Sequence, residues 1–168
     1  SLYCFREREL ILDIFEAYCG ARLTTNVMEI GGFSRPIPEY LPEQIRDFLK
    51  VFPDRHREYT DVLTANPIWV ARTKDIGVIT PQAAIDYCLT GACLRGSGVN
   101  YDIRKAMPYL VYDRLDFEVP LGTHGDVYDR YLVRMEEMLQ TIRIIAQCLD
   151  AVESMDTPLM AYESAYVI

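Results

Sequence analysis

The residues best suited to chemistry lie close together in the middle of the chain, between positions 94 and 109. Arg95 and Arg104 each present a rigid fork of donors, and either could clamp a carboxylate such as Asp102 with two parallel hydrogen bonds. Gly96 and Gly98 allow backbone angles that a Cβ would forbid, so the chain can fold back tightly there. Because the charges are mixed and not arranged as a run, the pattern favours ion pairs held inside a structure over a catalytic site.

Cysteine and histidine are poorly placed for metal binding. The five Cys residues are scattered without a Cys-x-x-Cys pair, and the two His residues, His56 and His124, lie far apart in sequence. This spacing predicts neither a zinc site nor an iron–sulfur cluster ligated by this chain alone. We interpret the five Cys residues as reduced thiols that serve as small apolar side chains.

Length and charge exclude several functional classes. A chain of 168 residues predicts about one domain, and a net charge of −8 argues against a sequence-independent hold on nucleic acid or on an anionic membrane surface. Apolar runs are only a few residues long, so no transmembrane segment is predicted. The N-terminus lacks an initiator Met and carries no signal or transit peptide, which suggests a processed product or a fragment.

Helices are expected to position most of these residues. Apolar spacing predicts a helix over residues 5–19, ended by Gly20, and helical structure over residues 42–65 that Pro53 divides into two helices. Thr80 and Pro81 should open a further helix that runs through Cys88 to a break at Gly91. Strands are predicted over residues 22–30 and 112–121, and residues 73–79 are interpreted as a turn with an edge strand.

The longest predicted helix covers residues 127–152, with Asp126 as its N-cap. We expect Arg134 and Glu137 to pair on its surface. Its sustained apolar stripe predicts the central member of a helical bundle; the stripe consists of Tyr128, Tyr131, Leu132, Met135, Met138, Leu139, Ile142, Ile145, Cys148 and Leu149. The predicted fold class is therefore mainly α with small β elements (α+β), with a helical core domain over residues 1–152 and a tail over residues 153–168 that could be discontinuous with the core.

Several motifs closely resemble the signature of the NuoD-type (49-kDa) subunit of respiratory complex I, NADH:quinone oxidoreductase. The resemblance starts from Leu94-Arg95-Gly96-Ser97-Gly98, Tyr101-Asp102-Ile103-Arg104-Lys105 and Pro108-Tyr109. It extends to Val119-Pro120-Leu121-Gly122, Tyr128-Asp129-Arg130 and Arg143-Ile144-Ile145, and to Gly20-Ala21-Arg22 and Asn66-Pro67-Ile68-Trp69 nearer the N-terminus. The motifs occur in the family's order from about residue 3 to residue 152, which makes chance agreement very unlikely.

The resemblance implies a core peripheral-arm subunit of a proton-pumping oxidoreductase, inactive by itself. In that family the subunit helps to form the quinone-reduction site beside the terminal [4Fe-4S] cluster, and a neighbouring subunit ligates that cluster. The implied partners are other complex I subunits and quinone. The implied location is peripheral to the inner membrane, on the mitochondrial matrix side or the bacterial cytoplasmic side, and the implied fold is similar to the related [NiFe] hydrogenase large subunits.

The resemblance also implies roles for particular residues. The family's quinone-site His and Tyr lie in an N-terminal part that this sequence does not contain, so no catalytic residue and no metal ligand is expected here. Arg22 and Thr24 are the candidates for positions near the iron–sulfur cluster. Buried ion pairs that support the fold are expected among Arg95, Asp102, Arg104, Asp126 and Arg130.

Two positions depart from the family pattern. Thr24 stands where the family usually has a His, and Glu29 stands where an Arg is common. Both changes should lower the potential of a nearby iron–sulfur cluster or make it less dependent on pH, because potential follows local charge and hydrogen bonding. Two alternatives stay open: an assembly subunit with a decayed site, and the large subunit of a membrane-bound [NiFe] hydrogenase, although the paired Cys-x-x-Cys motifs of the latter do not occur in this sequence.

Overall fold

The computed structural model describes residues 2–30 and 32–154, and these residues are mostly helical. In chain order the elements are α1 (Leu2–Cys19), β1 (Met28–Glu29), β2 (Gly32–Phe33), α2 (Tyr40–Leu63), α3 (Pro67–Thr73), α4 (Pro81–Asp86), α5 (Gly91–Gly96), α6 (Ile103–Ala106), a 3-10 turn (Tyr112–Arg114) and α7 (Val127–Glu153). The predicted class, mainly α with small β elements, is confirmed. The predicted tail lies, from residue 155 onward, outside the described residues.

The described residues divide into two compact units, one that contains residues 2–30, 32–55 and 148–154 and one of residues 56–147. In the first unit, Leu12 of α1 and Phe48 and Phe52 of α2 are among the buried apolar side chains, and the two Phe rings lie 5.3 Å apart. In the second unit the buried apolar residues include Leu94, Phe117 and Val133. The division at residue 152 stays a prediction.

The predicted strand over residues 22–30 is mostly wrong. Only Met28 and Glu29 form a strand, and they pair antiparallel with Gly32 and Phe33. The Ser34 amide donates one further bond to the Val27 carbonyl at 2.9 Å. The β-branched pair Thr24 and Thr25 is exposed, so no neighbouring strand or core stabilises an extended ladder there.

The predicted division of the second helical segment at Pro53 is also wrong, because α2 continues without interruption through Pro53. A proline inside a helix removes one backbone hydrogen bond and costs about 3 kcal/mol. Phe48, Phe52 and Tyr59 are buried on both sides of Pro53. Burial of these large aromatic side chains along the helix stabilises it enough to offset the proline.

Residues 112–121 do not form the predicted strand. They begin with a 3-10 turn and continue without regular secondary structure, and side chains of α7 take the place of a neighbouring strand. The Gln147 amide accepts from Asp116 N at 2.8 Å and donates to Asp116 O at 2.7 Å, while Gln140 Oε1 accepts from Glu118 N at 3.0 Å. The alternation therefore does not lead to a ladder, and of its apolar side chains only Phe117 is buried.

The segment over residues 73–79 and the end of α4 also differ from the prediction. Residues 74–79 are irregular, although Ile79 N donates to Gly125 O at 2.9 Å and Val127 N to Ile76 O at 3.0 Å. Thr80 caps α4 as predicted, but α4 ends at Asp86, and Cys88 has a φ of 54°. Gly91 begins α5 instead of simply ending the preceding helix.

The long helix α7 begins and ends close to its predicted bounds, but its buried side agrees with the predicted stripe only in part. Leu149 of the stripe is buried, whereas Leu132 and Met138 of the stripe are 37% exposed, and Val133 and Ile144, which lie outside the stripe, are buried. The N-terminal half of α7 buries Asp129 together with Val133. A hydropathy pattern does not detect the side of α7 that carries Asp129 and Val133, because Asp129 in the first turn is acidic.

Candidate functional site

The central motif lies on two short helices and the turn between them. Arg95 is in the last turn of α5, which ends at Gly96, and Asp102 is the N-cap of α6. The Asp102 carboxylate accepts from Arg104 N at 2.9 Å, so the same side chain both starts the helix and holds the cation that follows it. A local capping geometry thus places Arg104 beside Asp102.

Two arginines and two carboxylates contact one another in a group that we call the arginine–aspartate cluster. Its members are Arg95, Asp102, Arg104 and Glu137. Arg104 binds Asp102 with two donors, Nε at 3.0 Å from Oδ1 and Nη2 at 2.6 Å from Oδ2. Arg95 Nη1 lies 3.5 Å from Asp102 Oδ2, and Arg95 Nη2 bonds Glu137 of α7. Arg95 and Asp102 are buried, so solvent screens these contacts little.

Glu137 was expected to pair with Arg134, and that pairing is wrong. Arg134 instead donates to Arg130 O at 2.9 Å and contacts Cys93 Sγ at 3.4 Å. The contact of Glu137 with Arg95 joins residues that are 42 positions apart. A fixed helical spacing cannot reveal such a partner.

The protonation equilibria of the arginine–aspartate cluster favour its charged forms. The Arg104 side chain lowers the pKa of Asp102 below its ordinary value; burial opposes that effect, and the Arg104 amide and the Arg95 charge add to it. The same hydrogen bonds with Asp102 raise the pKa of Arg104, against its own burial. Both groups therefore stay ionised across the physiological range, which suits a structural ion pair more than a proton donor or acceptor.

Aromatic side chains lie next to the cations of the arginine–aspartate cluster and of Lys105. The Arg104 guanidinium carbon lies 4.8 Å from the centre of the Phe117 ring, and Lys105 Nζ lies 4.2 Å from it. Phe117 is buried, and its ring packs edge-on against Tyr112 at 6.2 Å. The ring face attracts both cations.

Asp126 and Arg130 do not join the arginine–aspartate cluster and bind backbone groups instead. Asp126, which is 1% exposed, accepts from Asp129 N at 2.7 Å and from Asp75 N at 2.8 Å. Arg130 donates to Gly125 O at 2.8 Å and to Gly77 O at 3.0 Å. Both residues thereby attach the segment before α4 to the start of α7.

Asp129 is a buried site residue that the sequence interpretation did not single out. Its carboxylate accepts from Thr123 N at 2.6 Å and His124 N at 2.5 Å. Burial raises the pKa of Asp129, but the amides of His124 and Thr123 outweigh it and the pKa lies below the ordinary value. The signal was available: Asp126 and Asp129 stand at N-cap and N3, a spacing typical of helix starts.

Glycines allow the close packing around this helix start. A Cβ on Gly96 would lie 2.6 Å from Arg130 Cγ, and a Cβ on Gly122 would lie 2.3 Å from Gly96 O and 2.9 Å from Asp129. Gly122 N also donates to Arg95 O at 2.9 Å. The motif glycines therefore let α5, the turn before α7 and α7 itself approach one another.

The two candidates for positions near an iron–sulfur cluster lie in the other unit. The Arg22 guanidinium binds three carboxylates of α1: it lies 2.9 Å from Asp13 and 2.8 Å from Glu16, and it also bonds Glu9. These hydrogen bonds, first with Glu16 and then with Asp13, raise the pKa of Arg22. Thr24 and Glu29 are exposed nearby in sequence.

Metal-binding groups and membrane-spanning helices are both lacking in the described part of the chain. Over residues 2–30 and 32–154, no three His, Cys, Asp or Glu side chains come together in a way that could hold a metal ion. Over the same ranges, no helix is both long and apolar enough to cross a bilayer.

Comparisons with known proteins agree on one family. The family model described as the respiratory-chain NADH dehydrogenase, 49 Kd subunit, matches residues 1–168. A C/D-type subunit of NADH-quinone oxidoreductase from Aquifex aeolicus (strain VF5) is 50% identical over 99% of this chain and 29% of its own length. The D-type subunit from Magnetococcus marinus is 51% identical over 90% of this chain and 38% of its own length. The D-type subunit from Campylobacter jejuni subsp. jejuni is 45% identical over 99% of this chain and 41% of its own length.

The chain spans less than half the length of each of these relatives. The match of the family model nevertheless extends along the whole chain, including the arginine–aspartate cluster and the start of α7. The chain therefore belongs to the family of the 49-kDa subunit of respiratory-chain NADH dehydrogenase.

Proposed function

We propose that this chain forms the helical part of a subunit that helps NADH:quinone oxidoreductase to reduce quinone beside its terminal iron–sulfur cluster. Family membership along residues 1–168 is the observation that carries the proposal. In this function the cofactors supply the redox chemistry, and the chain supplies position and electrostatics. The translocation of protons would belong to the whole assembly, and the chain by itself would be inactive.

The proposed task of the arginine–aspartate cluster is to fix the geometry of the second unit. Arg95 connects α5 to α7 through Glu137, and Asp102 connects Arg95 to Arg104. Both carboxylates of this cluster have a cationic side chain at 3.5 Å or less. A set of charges compensated in this way suits a rigid support, and we assign no direct contact with quinone to it.

We assign the position next to the iron–sulfur cluster to Arg22 and Thr24. Three carboxylates of α1 contact the guanidinium of Arg22, so these four side chains together carry a negative charge. Glu29 adds a further negative charge nearby in sequence. Negative charge stabilises the oxidised form of a nearby iron–sulfur cluster and lowers its potential. Thr24 and Glu29 thereby favour a lower potential than the usual His and Arg would give.

The proposed partners follow from the same family. The neighbouring iron–sulfur subunit would ligate the [4Fe-4S] cluster, and membrane-arm subunits would complete the quinone pocket. The chain would lie peripheral to the inner membrane, on the matrix or the bacterial cytoplasmic side. No part of this proposal requires nucleic acid or a membrane span of the chain's own.

The test is to extract native membranes mildly, isolate the assembly that holds this chain, and identify its subunits by intact-mass spectrometry. We expect the chain beside iron–sulfur and membrane subunits, in a preparation that reduces quinone with electrons from NADH. Recovery of the chain without those subunits would overturn the redox role and favour an assembly subunit. Recovery with nickel in place of quinone reductase activity would favour the hydrogenase class.

A further inference from the structure

We draw no further inference here: the strongest candidate, the open apolar face beside α3 that Ile68, Trp69 and Ile76 line, carries none because nothing in the structure shows what covers it.

Discussion

Arg104 neutralises a carboxylate that water cannot reach, so its removal should be costly. Asp102 is 5% exposed and receives two hydrogen bonds from the Arg104 side chain. Arg104→Ala should lower the free energy of unfolding by on the order of 3–5 kcal/mol, because it leaves a buried charge with one partner fewer. Denaturant unfolding of the full chain measures this. Lys105→Ala, which among the described residues loses a contact with the Phe117 ring, is the matched control at about 0.5–1 kcal/mol. A loss below about 1 kcal/mol for Arg104→Ala would mean that the pair behaves as a surface pair.

The lowered pKa of Asp102 also predicts how the stability of the folded chain depends on pH. Its pKa in the folded chain is lowered from 3.8, chiefly by the Arg104 side chain. The unfolded chain therefore binds more protons between the two pKa values, so the stabilisation is fully present above the unfolded value and is lost as the pH falls through the folded one. Unfolding free energies measured between about pH 6 and pH 2 should fall steeply below about pH 4. Asp102→Asn should show a shallower slope there, and an unchanged slope would contradict the assignment.

At the scale of the helix, Asp126 decides how α7 begins. Its two oxygens accept from Asp129 N at 2.7 Å and Asp75 N at 2.8 Å, and it is almost completely buried. Asp126→Ala should cost about 2–4 kcal/mol, since it removes a cap and leaves the Asp75 amide without its acceptor. Thr80→Ala, at the exposed cap of α4, should cost only about 1 kcal/mol. Thermal unfolding of both variants compares the two caps, and equal losses would show that the contact with Asp75 contributes nothing.

A substitution at Gly122 would test whether α5 and α7 need to approach each other closely. A methyl group there would meet Gly96 O at 2.3 Å, and a carbonyl oxygen of the backbone cannot rotate away as a side chain can. Gly122→Ala should cost about 3 kcal/mol or more. Gly20→Ala is the control, because its φ is +75° and no atom lies within 4 Å, so only backbone strain of about 1–2 kcal/mol applies. If hydrogen exchange found α5 and α7 equally protected in both variants, the packing argument would fail.

At the scale of the whole assembly, Thr24 should influence the redox potential of the neighbouring iron–sulfur cluster. Thr24→His restores the residue that is usual in the family and adds a group that titrates near pH ~6.5. The midpoint potential should rise as the pH falls, with a slope that approaches about 59 mV per pH unit. Potentiometric EPR on the isolated assembly measures it.

Thr25→His carries the same imidazole one residue further along the chain and is the control for a non-specific charge effect. A wild-type assembly with a normal, strongly pH-dependent iron–sulfur cluster would contradict the proposed role of Thr24. So would a Thr25→His variant that responds as strongly as Thr24→His, because position 24 would then have no special proximity to that cluster.

Local patterns in the sequence were sufficient to predict those helix ends that a capping residue or a glycine marks. Gly20 follows the last residue of α1, Thr80 caps α4, and Asp126 opens α7, because each signal lies within one helical turn of the residues that it affects. The same short range explains Asp102 and Arg104, which are two residues apart and share a cap. The family motifs were equally readable, since they depend only on residue type and order.

Contacts between distant residues were decided only by the tertiary structure. Glu137 pairs with Arg95 instead of Arg134, and Gln147 and Gln140 satisfy the backbone of a segment whose alternation is typical of a strand. Pro53 stays inside one helix because buried aromatic side chains on either side outweigh its lost hydrogen bond. The sequence specifies these partners too, but through packing that no local spacing encodes: burial makes a contact strong, and burial is a property of the folded chain.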